Sequence, residues 1–279
     1  TGLHAAIEIK RQHSRLKVLV LEARSLGAVA STRNAGFLCL GSPSELLADS
    51  KNLGENALID LLAAKWAGIQ RTLHLLGGKA IGLRNVRAFE LMAMEDSPYS
   101  KAVPSHEAVI NSLPALNALL ETASSRDLPF TAKRRQKGNF RHRSLPTPYF
   151  GEWHSFQQGN TAKPSLWGPV AKGQIPMAWE GQVNPFLLRE SLLRYALNLG
   201  IRIQGGLRVV QRNPHSLLVN IPIPFGEEDI SQSSNLLNIK SKNIIYATNA
   251  LTKELFIDRS ESVIPQRGQM WASAPLKPM

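Results

Sequence analysis

Residues 16–37, LKVLVLEARSLGAVASTRNAGF, place the strongest constraint on the fold. Lys17-Val18-Leu19-Val20-Leu21 is almost uninterruptedly apolar, the pattern of a strand covered on both faces in a parallel sheet. Glu22 falls where that strand ends. In dinucleotide-binding βαβ units a carboxylate at this place accepts hydrogen bonds from ribose hydroxyls, about 20 residues beyond the glycine turn that opens the preceding helix. Gly2 lies twenty residues before Glu22. Between them Leu3, Ala5, Ala6, Ile7 and Ile9 form the apolar side of a short helix, with Lys10, Arg11 and Arg15 at its polar end. The competing reading is a surface strand with a solvated acid; the order helix, strand, acid favours the nucleotide site.

Composition removes several other classes. A chain of 279 residues with 43% hydrophobic content is long enough for one extended domain or two interleaved ones. No apolar run reaches the roughly 18 to 20 residues a membrane span needs, and no charged-then-apolar leader opens the sequence, so a cytoplasmic protein is expected. The single cysteine, Cys39, rules out an internal disulfide and a cysteine-cluster metal site, and reads as a packed residue rather than a reactive thiol. No metal-ligand spacing, Ser-His-Asp set or phosphate-cradling G-x-x-x-x-G-K turn is present. The formal net charge is +12, and much of the excess sits between Arg126 and Arg143, where Lys133, Arg134, Arg135, Lys137 and Arg141 are opposed only by Asp127. Such a run is usually a solvated face. Phe130, Phe140 and Tyr149 interleave with it, yet no nucleic-acid-binding motif accompanies them, so a binding module for an anionic partner is the minor alternative.

Farther along, Ser42 or Ser44 caps a helix carrying Glu45, and Leu58, Leu62, Trp66, Ile69 and Leu73 recur at helical spacing until Gly77-Gly78. A strand is expected over 82–94 and a second long helix over 105–124, with Pro114 kinking it. Residues 126–180 are irregular and contain His154, read as polar surface rather than as a base. Asn184-Pro185 then opens a helix that Gly200 closes. Strands follow at 201–203, 207–210, 217–221, around Ile239 and at 243–250.

These segments resemble a known family. Thr1-Gly2-Leu3, Val18-Leu19-Val20-Leu21-Glu22-Ala23 and Ser31-Thr32-Arg33-Asn34-Ala35-Gly36-Phe37 are similar to the N-terminal part of FAD-dependent oxidoreductases of the D-amino acid oxidase superfamily. The RNAGF form resembles its amine-oxidising branch, which includes gamma-glutamylputrescine oxidase-like proteins. Val183-Asn184-Pro185 with its helix, the hairpin after it, Ala247-Thr248-Asn249-Ala250 and Pro265-Gln266-Arg267-Gly268-Gln269 resemble the family's second half in order. One departure is Arg87-Ala88, where relatives carry Gly-Gly before a glutamate, here Glu90.

The resemblance implies an α/β fold: a Rossmann-like FAD-binding domain with a central parallel sheet, interleaved with an α+β substrate domain on a mixed or antiparallel sheet. It implies FAD-binding segments 1–80 and 179–255 and substrate segments 81–178 and 256–279. The activity implied is oxidation of an amine or amino-acid C–N bond by hydride transfer to the flavin, with no obligatory acid-base pair. For the cofactor it implies Gly2 at the pyrophosphate, Glu22 and Ala23 at the adenosine ribose, and Ser31, Thr32, Arg33, Asn34, Ala35 and Gly36 as the loop beside pyrophosphate and flavin. Arg33 either neutralises a phosphate or pairs within the protein. Val209 or Val210 corresponds to the position whose backbone meets the adenine, and Ala247-Thr248 to the turn near the pyrophosphate. Against the family's length the chain reads as truncated at both ends, lacking the first strand and a C-terminal lid, and weak binding of FAD is expected from it.

Overall fold

A computed structural model describes residues 1–24, 30–93, 104–126, 148–152, 154–155, 171–221, 236–249 and 252–256. The chain divides into two compact units, one of residues 1–35 and 185–279, the other of residues 36–184.

In the first unit, helix α1 (Gly2–Gln12) turns Ala6 and Ile7 inward. Lys10 and Arg11 lie in its last turn, where cations complement the partial negative charge of unpaired carbonyls. The Lys10 ammonium also donates to the carbonyl of Leu16 at 2.7 Å, tying down the connection to strand β1 (Leu19–Leu21). Helix α5, numbered here by its place in the whole chain, spans Pro185–Asn198 and packs against α1. Proline at its first position lacks only an N–H that would have had no partner in the helix. Gly200, with φ 76°, lets the chain reverse into β6 (Arg202–Gln204), which runs parallel to β1 with Leu19, Val20 and Leu21 opposite Arg202, Ile203 and Gln204. Helix, strand, crossover and parallel strand thus occur as the apolar pattern predicts. The burial differs: Leu19 is 44% exposed and Val20 and Leu21 are half-buried. The reason is that, among the described residues, β1 belongs to a two-stranded sheet with only β6 beside it.

The remaining strands of this unit form a separate antiparallel sheet in the order β7 (Arg208–Asn213), β8 (Ser216–Asn220), β9 (Leu236–Lys240). Alternation decides its inner face: Leu217 and Val219 are buried, and their ladder partners include Val209, Leu237 and Ile239. Residues 243–248, expected as a strand, pair with no strand among the described residues. They lead instead to a short helix, α6 (Thr252–Leu255).

The second unit joins three helices to a sheet. Helix α2 (Pro43–Leu53) starts at Ser42, whose hydroxyl accepts from the Glu45 amide, and Gly54 with φ 79° separates it from α3 (Glu55–Leu76). Helix α4 (His106–Ser125) is capped by Ser105 and contains Pro114. The sheet has the order β2 (Phe37–Leu38), β5 (Ala171–Gln182), β3 (Arg84–Ala93), with β4 (His154–Ser155) also paired to β5. Strand β3 passes through the Arg87-Ala88 departure without a break: the register shifts by a bulge between Val86 and Ala88. Leu58, Leu62, Val109, Leu120 and Ile175 are fully shielded from solvent in one core, and Trp66 stands edge-on to Trp179 with ring centroids 5.3 Å apart. Full burial of each such aliphatic side chain contributes about 1.5–3 kcal/mol. Residues 36–80, which the resemblance assigns to the cofactor segment, pack here with α4. The basic run from 127 to 143 and the PQRGQ stretch lie outside the described residues.

Candidate functional site

The site residues named from sequence fall at three places. The first is the end of β1. Glu22 N–H donates to Gln204 O at 2.9 Å, continuing the parallel ladder, while Glu22 O accepts from Leu207 N–H at 3.0 Å and Arg24 O from Gly206 N–H at 3.1 Å. The acid is thereby fixed at the carboxyl end of two parallel strands, where open α/β sheets bind ligands. Its carboxylate Oε1 accepts from Arg24 N–H at 3.1 Å in a half-buried position. Ala23 beside it is exposed. The segment that holds Glu22 leads straight into β7, and Val209 is two residues beyond Leu207. A bulge follows at once: Val209 pairs with Val219 and Gln211 with Leu218, so Val210 is the extra residue, 47% exposed.

The second place is the amino end of α1. Gly2 approaches the turn of residues 246–249 closely enough that a Cβ on it would stand 3.5 Å from the Cβ of Ala247. Thr1 makes no side-chain cap and no acid occupies the first turn, so the amides at this end face no competing anion from α1 itself. His4, in that turn, is held below the usual imidazole range by burial. Thr248 shares a hydroxyl–hydroxyl hydrogen bond of 3.0 Å with Thr252.

The third place is the loop of residues 30–36. Ala30–Thr32 make a 3-10 turn that packs on α5. Asn34 Nδ2 donates to the carbonyls of Ala30 and Ser31, both at 3.1 Å, so the loop carries its own brace. Ser31 and Arg33 are exposed, Thr32 and Ala35 half-buried. Gly36 begins the second unit: it is buried at φ 73°, a backbone region that favours glycine, and its carbonyl accepts from Val183 N–H at 2.8 Å. A recess of about 390 Å³ lined by Gln12, His13, Ser14, Arg15 and Leu16 lies at the other end of α1 from Gly2 and holds none of these residues.

No family model matches the chain, and no curated protein does. Among solved structures it is similar to an L-amino acid deaminase from Proteus vulgaris with its specific insertion sequence deleted, with TM-score 0.50 and 11% identity, covering 93% of this chain and 54% of that one. The likeness is one of fold. Two further structures are a glycine oxidase from Geobacillus kaustophilus, with TM-score 0.48, 16% identity, 92% of this chain and 54% of that one, and a dithionite-reduced L-alpha-glycerophosphate oxidase from Mycoplasma pneumoniae with FAD bound, with TM-score 0.48, 14% identity and the same coverage. The chain spans about half the length of these proteins.

Several placements escape sequence reasoning. Phe256, just after α6, takes Arg212 over its ring and stands edge-on to Tyr246 of the 246–249 turn. In the second unit Glu90 accepts from the hydroxyls of Ser42 and Ser44 and from Ser44 N–H, so a strand carboxylate caps α2. Cys39 is half-buried, and burial pushes its thiol up, with Glu180 and Glu45 adding to the shift. A thiol so held is a poor nucleophile, as expected for a packed residue. Burial likewise raises Glu180, and raises the Tyr149 phenol, which donates to Trp179 O at 2.8 Å. His154 is exposed on β4.

Proposed function

We propose that this chain is part of an FAD-dependent oxidoreductase of the D-amino acid oxidase superfamily that oxidises the C–N bond of a small amine or amino acid, with affinity to the gamma-glutamylputrescine oxidase-like branch. The single observation that carries the reading is the α1–β1–β6 unit, in which an acid closes a parallel strand and a glycine opens the helix before it. The order of motifs along the sequence and the fold likeness to an L-amino acid deaminase support it.

The residues present suit an adenine dinucleotide. The Glu22 carboxylate can accept from ribose hydroxyls, and the amino end of α1 offers amides with no acid in its first turn. Gly2 and Ala247 carry little side-chain bulk for close backbone approach, and Thr248 follows Ala247 in sequence. Ser31, Thr32, Asn34 and Ala35 contribute a loop with little side-chain bulk, and Arg33 a cation for phosphate. Val209 and the bulge at Val210 present backbone groups for adenine. FAD, when bound, supplies the two-electron acceptor for C–N oxidation. We assign cofactor binding to the unit of residues 1–35 and 185–279, and substrate contacts to the unit of residues 36–184.

Replacement of Glu22 tests this directly. Titrating FAD into the 279-residue chain and into Glu22→Ala should show saturable binding that weakens about tenfold or more in the variant, because hydrogen bonds to a charged group are worth ~1.5–3 kcal/mol. Equal affinities would remove Glu22 from the site. With FAD loaded, anaerobic addition of an amine or amino-acid panel should bleach the flavin with at least one member.

A further inference from the structure

The turn of residues 246–249 meets Thr252 of α6 and Phe256 just after it, and Arg212 contacts the end of the same helix. Arg212, on β7 opposite Leu217, holds its guanidinium carbon 4.0 Å from the centroid of the Phe256 ring, and its Nε–H donates to Leu255 O at 2.8 Å. The second contact pairs a carbonyl in the last residue of α6, where helices commonly need partners from outside. Phe256 stands edge-on to Tyr246, centroids 4.8 Å apart at 87°. On the other side Thr252 Oγ1 donates to Asn249 O at 2.6 Å and meets Thr248 Oγ1. Asn249 lies at φ 49°, a left-handed conformation that asparagine adopts more readily than most residues with a side chain. The contacts around the turn lead through α6 to Arg212.

The geometry points to Arg212 as a positioning residue for the cofactor turn. By stacking on Phe256 and bonding Leu255 together, it keeps the turn in the conformation that places Ala247 against Gly2; it does not itself touch the cofactor. This rests on the FAD reading above. An arginine suits the task because its planar group stacks and donates at once, whereas a lysine ammonium offers a point charge without the fork. If the turn leaves its held conformation, apparent affinity falls in proportion to the fraction that remains competent.

The test uses the 279-residue chain with Arg212→Ala and Arg212→Lys, reading FAD affinity, thermal midpoint and amide hydrogen exchange together. Arg212→Ala should weaken FAD binding by about tenfold, the sum of a cation–π contact and a hydrogen bond. Arg212→Lys, which keeps the charge over the ring, should weaken it by about threefold. In both variants exchange at 246–249 should quicken while β8 stays protected. Unchanged FAD affinity in both variants overturns the proposal, as does an equal loss of protection at β8, which would mark a general structural role. Should Arg212→Ala fail to fold, Arg212→Lys decides on the same readings. If the wild-type chain binds no FAD, the cofactor reading itself fails, and the exchange measurement still refutes the clamp where protection at 246–249 is unchanged.

Discussion

Asn117 is the residue whose loss should most disturb the second unit for its size. Its Oδ1 accepts from the amides of Tyr149 at 3.0 Å and Phe150 at 2.8 Å, and its Nδ2 donates to Phe150 O at 3.0 Å. Tyr149 and Phe150 are 0% and 2% exposed, so the backbone they carry is pinned into the core by one amide. Asn117→Ala leaves two donors and an acceptor without that partner. A buried group left unsatisfied costs ~1–3 kcal/mol. Since these bonds are only partly shielded, about 1 kcal/mol each is the appropriate figure, or about 3 kcal/mol in all. Asn117→Asp keeps the double acceptor and loses only the donor, so it should cost about 1–2 kcal/mol. Urea unfolding followed by the fluorescence of Trp66 and Trp179 reads both. With a slope of ~2 kcal/mol per molar, the midpoint should fall by about 1.5 M for alanine and by roughly half that for aspartate. A fall under ~0.3 M for alanine would mean that water replaces the amide, and the reasoning would be refuted. Equal falls for the two variants would refute the assignment of acceptor and donor.

The Glu180 carboxyl is held above its ordinary value of 4.5 by burial. The folded state therefore prefers its neutral form, and the stability it contributes is present below that ordinary value and lost as pH rises through the folded one. Glu180→Gln should accordingly raise the melting temperature near pH 7 and lose that advantage toward about pH 4. An offset independent of pH would show that the carboxyl does not titrate abnormally. Glu90→Ala removes three contacts from the start of α2 and should destabilise by about 1–3 kcal/mol, measured by thermal unfolding. A change under ~0.5 kcal/mol would show that Ser42 caps α2 unaided.

Local signals carried much of this fold. The helix of 55–76 is written in Leu58, Leu62, Trp66 and Ile69 and stopped by Gly77, and the helix of 185–198 opens on proline as its sequence demands. Glu22 could be placed at a strand end because an apolar run and an acid are adjacent. Contacts between distant residues leave no such trace. Glu90 reaches Ser42 across 48 residues, Asn117 reaches Phe150 across 33 and Arg212 reaches Leu255 across 43. The resemblance marks Glu90 as a family position, but nothing in the sequence names the partner that Glu90, Asn117 or Arg212 reaches. The exposure of Leu19 was hidden for a different reason: periodicity reports how apolar a strand is, while burial depends on which strands lie beside it.

The central claim is that the carboxyl end of β1 and the amino end of α1 together hold an adenine dinucleotide. Equilibrium titration of the 279-residue chain with FAD, with ADP and FMN as competitors, tests it most directly. Saturable FAD binding weaker than about micromolar, displaced by ADP and not by FMN, is the predicted result, since the residues named recognise the adenosine and phosphates. No saturable binding up to ~1 mM FAD, or displacement by FMN alone, would contradict it.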